Sequence, residues 1–369
     1  MPVQDVIVQP ESAPVVVALE PAHQAVHSML LVVEAEKLSG LGEWVTRTAE
    51  AMTPEERRHH ELVILGFFHA ILPAASWPSF PAYVEHLATS SPTDLRDRML
   101  SVYARIAPKA ADSDCEHDKD APDVDLAEVL KDEEAYLDFL RGRFDADRLD
   151  EELEAQAYSF VVNPPAMQDL IVTHLRKMWH GYLAEEWTRV EPMLMDSVRA
   201  FEQSDLSKMG RREAVEWITG HDLEGEHWDR VLEEAERIIL APSAHVGPYK
   251  GKYREDGTLW LLFGARLPEG SQYYAPDLSR AEIVVRLSAL ADDNRLRILQ
   301  AVSEEGELAS QDIMAGLGLS QSGASRHLKQ LSATGYLAER RCSGAKCYQL
   351  DPKRIENTLQ AVSKFLLGK

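Results

Sequence analysis

Residues 320–331 combine hydrogen-bonding and apolar side chains at the spacing of a short helix. Ala324, Leu328 and Leu331 recur at intervals of four and three, which predicts an inward face. The remaining positions predict an outward face of polar and basic side chains, formed by Ser320, Gln321, Ser322, Ser325, Arg326 and Lys329. Serine, glutamine and arginine can bond to base edges in the major groove, and a capped helix N-terminus can meet a phosphate. The pattern therefore indicates contact with DNA.

The elements that must position this face come directly before it. One helix is predicted with Leu296, Leu299 and Val302 on its inner side. A shorter helix begins after Ser310, and Gly318 then stands where a tight turn needs a residue that tolerates positive φ. The serine two residues later is a good N-cap. This succession predicts a helix-turn-helix whose second helix fits the major groove.

Two short strands are predicted after Gly335, in the stretch "YLAERRCSGAKCYQL". Arg340, Arg341 and Lys346 fall at the tip of this hairpin. Basic side chains there would lie along the DNA backbone or the minor groove. We therefore expect a β-wing that adds DNA contacts to those of the helix.

Cys342 and Cys347 flank the expected two-residue turn of the wing, Gly344 and Ala345. They could face each other and form a reversible disulfide, which would make the hairpin a redox switch. The alternative is that both are ordinary small strand residues. The sequence leaves both interpretations open.

Two consecutive motifs resemble the winged-helix repressors of the arsenic and metal sensor family, the ArsR/SmtB type. They are "LSALADDNRLRILQAV" and "LGLSQSGASRHLKQLSATGYL", followed by a wing that ends in Tyr348. The resemblance covers the last quarter of the chain. It implies a homodimer built on residues 283–290 and 355–366, and an imperfect palindrome as operator. It also implies that His327 has a structural or phosphate-contacting role, and that repression is the expected activity.

The chain departs from the metal-sensing members of this family. Their thiolate position reads "ELASQDIMAGL" here, without cysteine, and the last helix reads "DPKRIENTLQAVSKFLLGK", without histidine. We therefore expect no metal and no cofactor in this domain. In the acidic region, Cys115, Glu116 and His117 are adjacent ligand types, but such neighbours usually belong to a solvated loop.

Charge divides the 369-residue chain into two parts. Residues 278–369 hold 13 lysine and arginine residues against 10 aspartate and glutamate residues, whereas the first 277 residues hold 26 against 51. The first part should repel DNA and leave contact to the second. No apolar run is long enough to cross a bilayer, and there are only three cysteines. We expect a cytoplasmic protein with no membrane partner.

The sequence predicts a mainly α fold in two domains. Residues 1–276 should form an acidic helical domain with a small β element near 1–20 and 236–266, and residues 277–369 the winged helix-turn-helix. We expect the first domain to sense a non-metal small molecule or a protein, and catalytic motifs are missing, so we expect no enzyme. The alternative is an enzyme or protein-interaction module with ancillary DNA binding. The tryptophans of the first domain could enclose an apolar cavity or simply belong to the core.

Overall fold

The computed structural model describes residues 15–38, 40–106, 125–144, 149–204, 206, 209–220, 223, 226–266, 280–342 and 345–367. Its contacts divide the chain into two compact units. The helical unit comprises residues 20–35 and 44–189, and the sheet-containing unit comprises residues 1–19, 36–43 and 190–369. The expected boundary near Pro276 and the acidic segment around Cys115 lie outside the described residues, so both remain predictions.

The helical unit is built from short helices that begin at strong local signals. Thr53 and Glu56 form a capping box, since each side chain accepts a hydrogen bond from the other residue's backbone N–H at 3.2 Å. Ser79, Asp132 and Asp150 cap three further helices. The helices are α1 (Pro21–Val33), α2 (Glu43–Ala51), α3 (Pro54–Ile64), α4 (Phe68–Ile71), α5 (Phe80–Thr89), α6 (Pro92–Arg105), α7 (Leu126–Val129), α8 (Glu133–Arg141), α9 (Glu151–Val161) and α10 (Pro164–Met178), then a π-helical turn (Trp179–Leu183) and the start of α11 (Ala184–Glu202).

The sheet-containing unit adds α12 (Arg211–Thr219), α13 (Glu226–Glu233) and a four-stranded sheet. Its strands are β1 (Val15–Val17), β2 (Arg237–Ser243), β3 (Gly251–Glu255) and β4 (Thr258–Gly264), in the spatial order β1-β2-β4-β3. Strand β2 runs parallel to both β1 and β4. Apolar side chains from β2, β4, α11 and α12 form one buried core, and Trp217 and Trp228 pack against its edge. The predicted β element is thus present, and these two tryptophans belong to core packing.

One strand was missing from the sequence-based expectation. The Asp-Gly turn at Asp256 and Gly257 joins β3 to β4 as an antiparallel hairpin, with φ of 43° and 73°. Within residues 236–266 the sequence indicated only the two β-rich runs that became β2 and β4. Strand β3, "GKYRE", was overlooked because its alternation of apolar and polar residues is short and interrupted.

The winged helix-turn-helix forms at the C-terminal end of the same unit, which confirms the predicted fold class. Its elements are α14 (Arg280–Leu290), α15 (Asp293–Glu305), β5 (Glu307–Ala309), α16 (Ser310–Leu317), α17 (Gln321–Ala333), β6 (Leu337–Cys342), β7 (Ala345–Leu350) and α18 (Pro352–Leu367), with the strands in the order β5-β7-β6. Leu299 and Val302 are buried as expected, but Leu296 is 50% exposed. Ile298 and Arg295 occupy the inner side of α15 instead.

Across the ranges that the structure describes, no helix is both long enough and apolar enough to span a bilayer.

Candidate nucleic-acid interface

The start of helix α17 and the turn before it are as the sequence predicts. Gly318 ends α16 with φ of +66°, the left-handed conformation that glycine adopts without steric cost. Ser320 then has an extended backbone, and its Oγ accepts a hydrogen bond from the Gly323 N–H at 3.2 Å. The cap and the glycine turn together fix the direction of α17 relative to α16.

The two faces of α17 separate as expected. Ala324, Leu328 and Leu331 are at most 1% exposed and join the core of the domain. The opposite face is exposed and consists of Gln321, Ser322, Ser325, Arg326 and Lys329, preceded by the exposed cap Ser320. We call these six residues the α17 outer face. The structure brings them together on one side of the helix, and their role in DNA contact remains a prediction.

His327 does not lie on the α17 outer face. It is 5% exposed, and its Nδ1 is 3.7 Å from a carboxylate oxygen of Asp292. Burial lowers the pKa of the imidazole, against the opposing effect of the Asp292 charge. A phosphate could not reach the ring without repacking, so we correct the expectation of DNA contact and assign His327 a structural position.

Sequence reasoning missed the support beneath α17. Asp292 caps α15 by accepting a hydrogen bond from the Arg295 N–H at 3.0 Å. The Arg295 guanidinium is nearly buried and donates to the carbonyls of Ala289 and Ser288 at 2.6 and 2.8 Å. This arginine therefore joins the end of α14 to α15. The signal that could have revealed it was an aspartate directly before a periodic run.

The far end of α17 is also fixed. Gly335 has φ of +78°, and the Tyr336 N–H returns to the Leu331 carbonyl at 2.9 Å. The Tyr336 side chain is fully buried, and its hydroxyl donates to the Arg286 carbonyl at 3.2 Å and lies 3.1 Å from the Thr358 hydroxyl. Helix α17 is thereby attached to α14 and α18.

The wing is a β6–β7 hairpin with a different turn from the expected one. Cys342 is opposite Ala345, so Ala345 belongs to β7 and not to the turn. Lys346 is largely exposed but pairs with Glu339 across the strands at 2.5 Å. A phosphate must compete with that carboxylate for the ammonium. Arg340 and Arg341 lie in β6, with side chains outside the described part.

The strand register contradicts a disulfide across the wing. Cys347 lies opposite Arg340, not opposite Cys342. The two cysteines are diagonal neighbours, whose Cα atoms are about 7–8 Å apart in antiparallel pairs, beyond the usual disulfide range. Cys347 is buried and a free thiol. The redox switch is therefore corrected in favour of an ordinary strand cysteine.

One end of the α17 outer face touches another part of the same unit. The Lys329 ammonium lies 5.7 Å from the centroid of the Tyr249 ring, which belongs to the loop between β2 and β3. The backbone of Gly40 approaches Gln330 so closely that a Cβ there would lie 2.8 Å from the Gln330 amide nitrogen. This end of α17 is therefore packed against loops, whereas Arg326 is exposed.

Where the chain is described, no three His, Cys, Asp or Glu side chains are grouped so that they could hold a metal ion.

Comparison with known proteins yields relatives for the C-terminal region. The profile described as "Bacterial regulatory protein, arsR family" matches residues 292–339. The arsenic resistance transcriptional regulators ArsR1 and ArsR2 of Pseudomonas putida are 42% identical over 64 residues and 35% identical over 85 residues. These matches take in 17% and 21% of this chain, and 50% and 74% of the relatives.

Two solved structures are similar over the same region. NolR from Sinorhizobium fredii is 35% identical, with 23% of this chain and 85% of that chain covered and a TM-score of 0.20. The antimony-specific transcriptional repressor AntR is 28% identical, with 24% and 79% covered and a TM-score of 0.19. The chain spans half the length of ArsR1 and about three quarters of ArsR2. By its match to three quarters of ArsR2 and to the family profile, the chain belongs to the ArsR family of bacterial regulatory proteins.

Proposed function

We propose that this chain is a cytoplasmic, sequence-specific DNA-binding repressor that recognises an inverted-repeat operator as a homodimer. The α17 outer face carries the proposal, because its serine, glutamine and arginine side chains are exposed together on a capped helix. Their chemistry suits base edges in the major groove. The charge distribution supports it, since basic residues outnumber acidic ones only in the C-terminal quarter.

Exposed apolar side chains support the homodimer. On α14, Val284 is 53% and Leu287 38% exposed, and on α18, Leu359 is 55% exposed. These two helices contact each other within one chain, so the side chains lie on neighbouring elements. Large apolar residues clustered in this way are typical of a protein–protein interface. A twofold dimer through α14 and α18 would present two copies of α17 to one face of DNA.

The alternative, an enzyme within residues 1–276, has one observation in its favour. A cavity in the helical unit is lined by Glu56, His59, His174 and Lys177, which are titratable. Glu56, however, caps α3 and pairs with Lys177 at 3.1 Å, and burial lowers the pKa of His174 to about 2. These groups serve the packing of the helices, which favours a sensor over an enzyme in our proposal.

The proposal is tested by exposing the purified full-length protein to sheared DNA from its own genome and sequencing what it retains. An Arg326→Ala, Lys329→Ala double variant is treated in parallel, and an Arg199→Ala, Lys177→Ala double variant serves as the charge-matched control. Salt is held near physiological values, because phosphate contacts depend steeply on it.

Enrichment of a few inverted repeats by the wild type and the control, and its loss in the α17 variant, is the expected result. Retention of DNA without sequence preference by all three proteins would contradict sequence-specific recognition through α17. Enrichment that survives in the α17 variant would place recognition elsewhere in the chain.

A further inference from the structure

A cavity lies where the β2–β4 sheet meets the winged helix-turn-helix, within the sheet-containing unit. It encloses about 560 Å³ of space free of protein atoms, part of it open to solvent. Ser243 and Gly264, the last residues of β2 and β4, line one side. Arg286 of α14 and Arg354 of α18 line the other. The site is therefore shared by the sheet and the DNA-binding domain.

The charge of the lining is unusual for this chain. Of the 14 described residues around the cavity, three are arginines, Arg266, Arg286 and Arg354, and none is acidic. Acidic residues outnumber basic ones by 61 to 39 in the whole sequence. Guanidinium groups bind carboxylate and phosphate oxygens in a two-pronged geometry, so this lining suits a small anion.

The backbone around the cavity is shaped for close approach. In open sheets, ligands bind beside the carboxyl ends of parallel strands, and β2 and β4 end side by side here with Ser243 opposite Gly264. A Cβ at Gly264 would lie 2.8 Å from the Gly247 carbonyl oxygen. Gly220, with φ of +69°, lies directly against the Arg266 guanidinium. Glycines at these positions allow the Gly247 carbonyl and the Arg266 guanidinium to pack closely at the edge of the cavity.

Two sets of contacts connect the lining of this cavity to α17. Arg354 Nε donates to the carbonyl of Thr334, the C-cap of α17, at 2.9 Å. On the other side, Gly247 and Pro248 line the cavity, and the next residue, Tyr249, packs on Lys329 of the α17 outer face. A molecule in the cavity thus touches the residues on either side of α17's C-terminal half.

We propose that this cavity binds a small oxyanion, a carboxylate or a phosphate, through Arg266, Arg286 and Arg354, and that the anion is the effector. The proposal of an effector rests on the proposed function as a DNA-binding regulator. Occupancy changes the position of Tyr249 against Lys329 and of Arg354 against Thr334, and so biases how α17 meets DNA. Because coupling is reciprocal, DNA changes the affinity for the anion by the same factor.

Binding is measured by calorimetry on the full-length protein, with inorganic phosphate and succinate as separate probes and sodium chloride matching the ionic strength. Arg266→Gln removes a cavity charge, and Arg254→Gln is the matched control on β3, where Arg254 pairs with Glu234 at 2.8 Å outside the cavity. Hydrogen exchange of residues 243–248 in the wild type, with and without each probe, gives a reading that needs no variant.

The expected result is saturable binding of at least one probe with protection of residues 243–248. Arg266→Gln should weaken that binding at least about tenfold, and Arg254→Gln should leave it unchanged. The probe that binds tells a phosphoryl ligand from a carboxylate. No saturable binding of either probe up to about 10 mM, equal binding by Arg266→Gln, or protection elsewhere overturns the site.

The effector role is measured separately, as the affinity for the retained operator with and without the bound probe. A change of at least about fivefold is expected, and binding without any change overturns the effector role. If operators are retained but neither probe binds, the inference about the cavity fails and the proposed function stands. If a probe binds but no operator is ever retained, the proposed function fails.

Discussion

Arg326 and Lys329 supply the positive charge of the α17 outer face, and their surroundings differ. Arg326 is exposed, whereas the Lys329 ammonium lies over the Tyr249 ring. An arginine can read guanine through two parallel hydrogen bonds, and a lysine acts as a point charge toward phosphate. In the proposed function, Arg326 would therefore read the sequence, and Lys329 would contact a phosphate after release from Tyr249.

Replacement of Arg326 by alanine should weaken specific binding by about 1–3 kcal/mol, because one base-edge contact is lost. The measurement is a fluorescence anisotropy titration of operator and scrambled DNA at several salt concentrations. Arg199→Ala, an exposed arginine on α11, is the control. An equal loss on both DNAs, with a shallower salt dependence, would instead make Arg326 a phosphate contact.

A buried histidine pair in the helical unit is the clearest source of pH dependence. His60 Nε2 donates to the Met29 carbonyl at 2.9 Å, which leaves Nδ1 to accept from His174 Nε2 at 2.8 Å. This arrangement needs one proton on each ring, which is the neutral form of histidine. Burial lowers the pKa of His60 to about 4 and that of His174 to about 2. Burial also raises the pKa of Glu154 to about 7, which acts in the opposite direction.

The helical unit should lose stability as the pH falls below the ordinary histidine pKa of about 6.5, because the unfolded chain then binds protons that the folded chain rejects. Well below that pH, each histidine lowers the free energy of unfolding by about 1.4 kcal/mol for each pH unit of acidification. Between pH 7 and 4.5, Glu154 raises the free energy of unfolding at about the same rate and so offsets one histidine. Urea denaturation at several pH values between 7.5 and 5 measures this change in the free energy of unfolding.

The matched variants are His174→Gln, which keeps a donor toward His60 but does not titrate, and Glu154→Gln. With His174→Gln, the free energy of unfolding should decrease less as the pH falls. With Glu154→Gln, it should decrease more. A curve for His174→Gln parallel to that of the wild type would contradict a neutral buried pair.

The turn between α16 and α17 requires a residue that tolerates positive φ, and no neighbouring side chain that the structure describes decides this choice. Gly316 and Gly318 are two residues apart and both exposed, and no described atom lies within 4 Å of a Cβ built on either. They differ in conformation, since Gly316 is helical and Gly318 has φ of +66°. The same substitution at the two positions thus isolates backbone strain.

Gly318→Ala should lower the free energy of unfolding by about 1 kcal/mol, because an L-residue is strained at positive φ. Gly316→Ala should raise it by about 0.5–1 kcal/mol, because alanine favours the helix. Urea denaturation monitored by circular dichroism gives both values. A Gly318→Ala variant that is as stable as the wild type, or more stable, would show that the turn does not require glycine at this position.

Elements were predictable from sequence where local chemistry decides them. The cap at Ser320, the turn at Gly318 and the inner face of α17 follow from residue types at fixed spacing. Leu296 was misplaced because Arg295 turns inward to bond carbonyls six and seven residues earlier, which no helical period reveals. The prediction that Ala345 belongs to the wing turn was wrong, because register depends on the pairing of both strands.

The cavity between the sheet and the DNA-binding domain could not be predicted. Arg266, Arg286 and Arg354 are separated by 20 and 68 positions and carry no common motif. Only the tertiary fold brings them together. The contact between Tyr249 and Lys329 likewise depends on the tertiary fold.

In the whole molecule, the proposed dimer would allow two copies of α17 to bind one operator. Leu359→Glu combined with Val284→Glu should convert the dimer to a monomer, because charges cannot be buried unpaired in an apolar interface. Analytical ultracentrifugation measures the mass, and Leu296→Glu, an equally exposed leucine on α15, is the control. A monomeric wild type, or a dimeric double variant, would contradict the proposed interface.

The pairing of β1 with β2 has a consequence for synthesis on the ribosome. Val17 lies beside Leu240, so the first strand must wait for some 220 further residues to be made. At about 5–20 residues per second this takes roughly 10–45 seconds. Meanwhile the helical unit, formed by residues 20–35 and 44–189, is synthesised completely. The apolar segment "VVV" therefore stays without its native neighbour during this time, and the nascent chain has to avoid wrong strand pairings until β2 emerges.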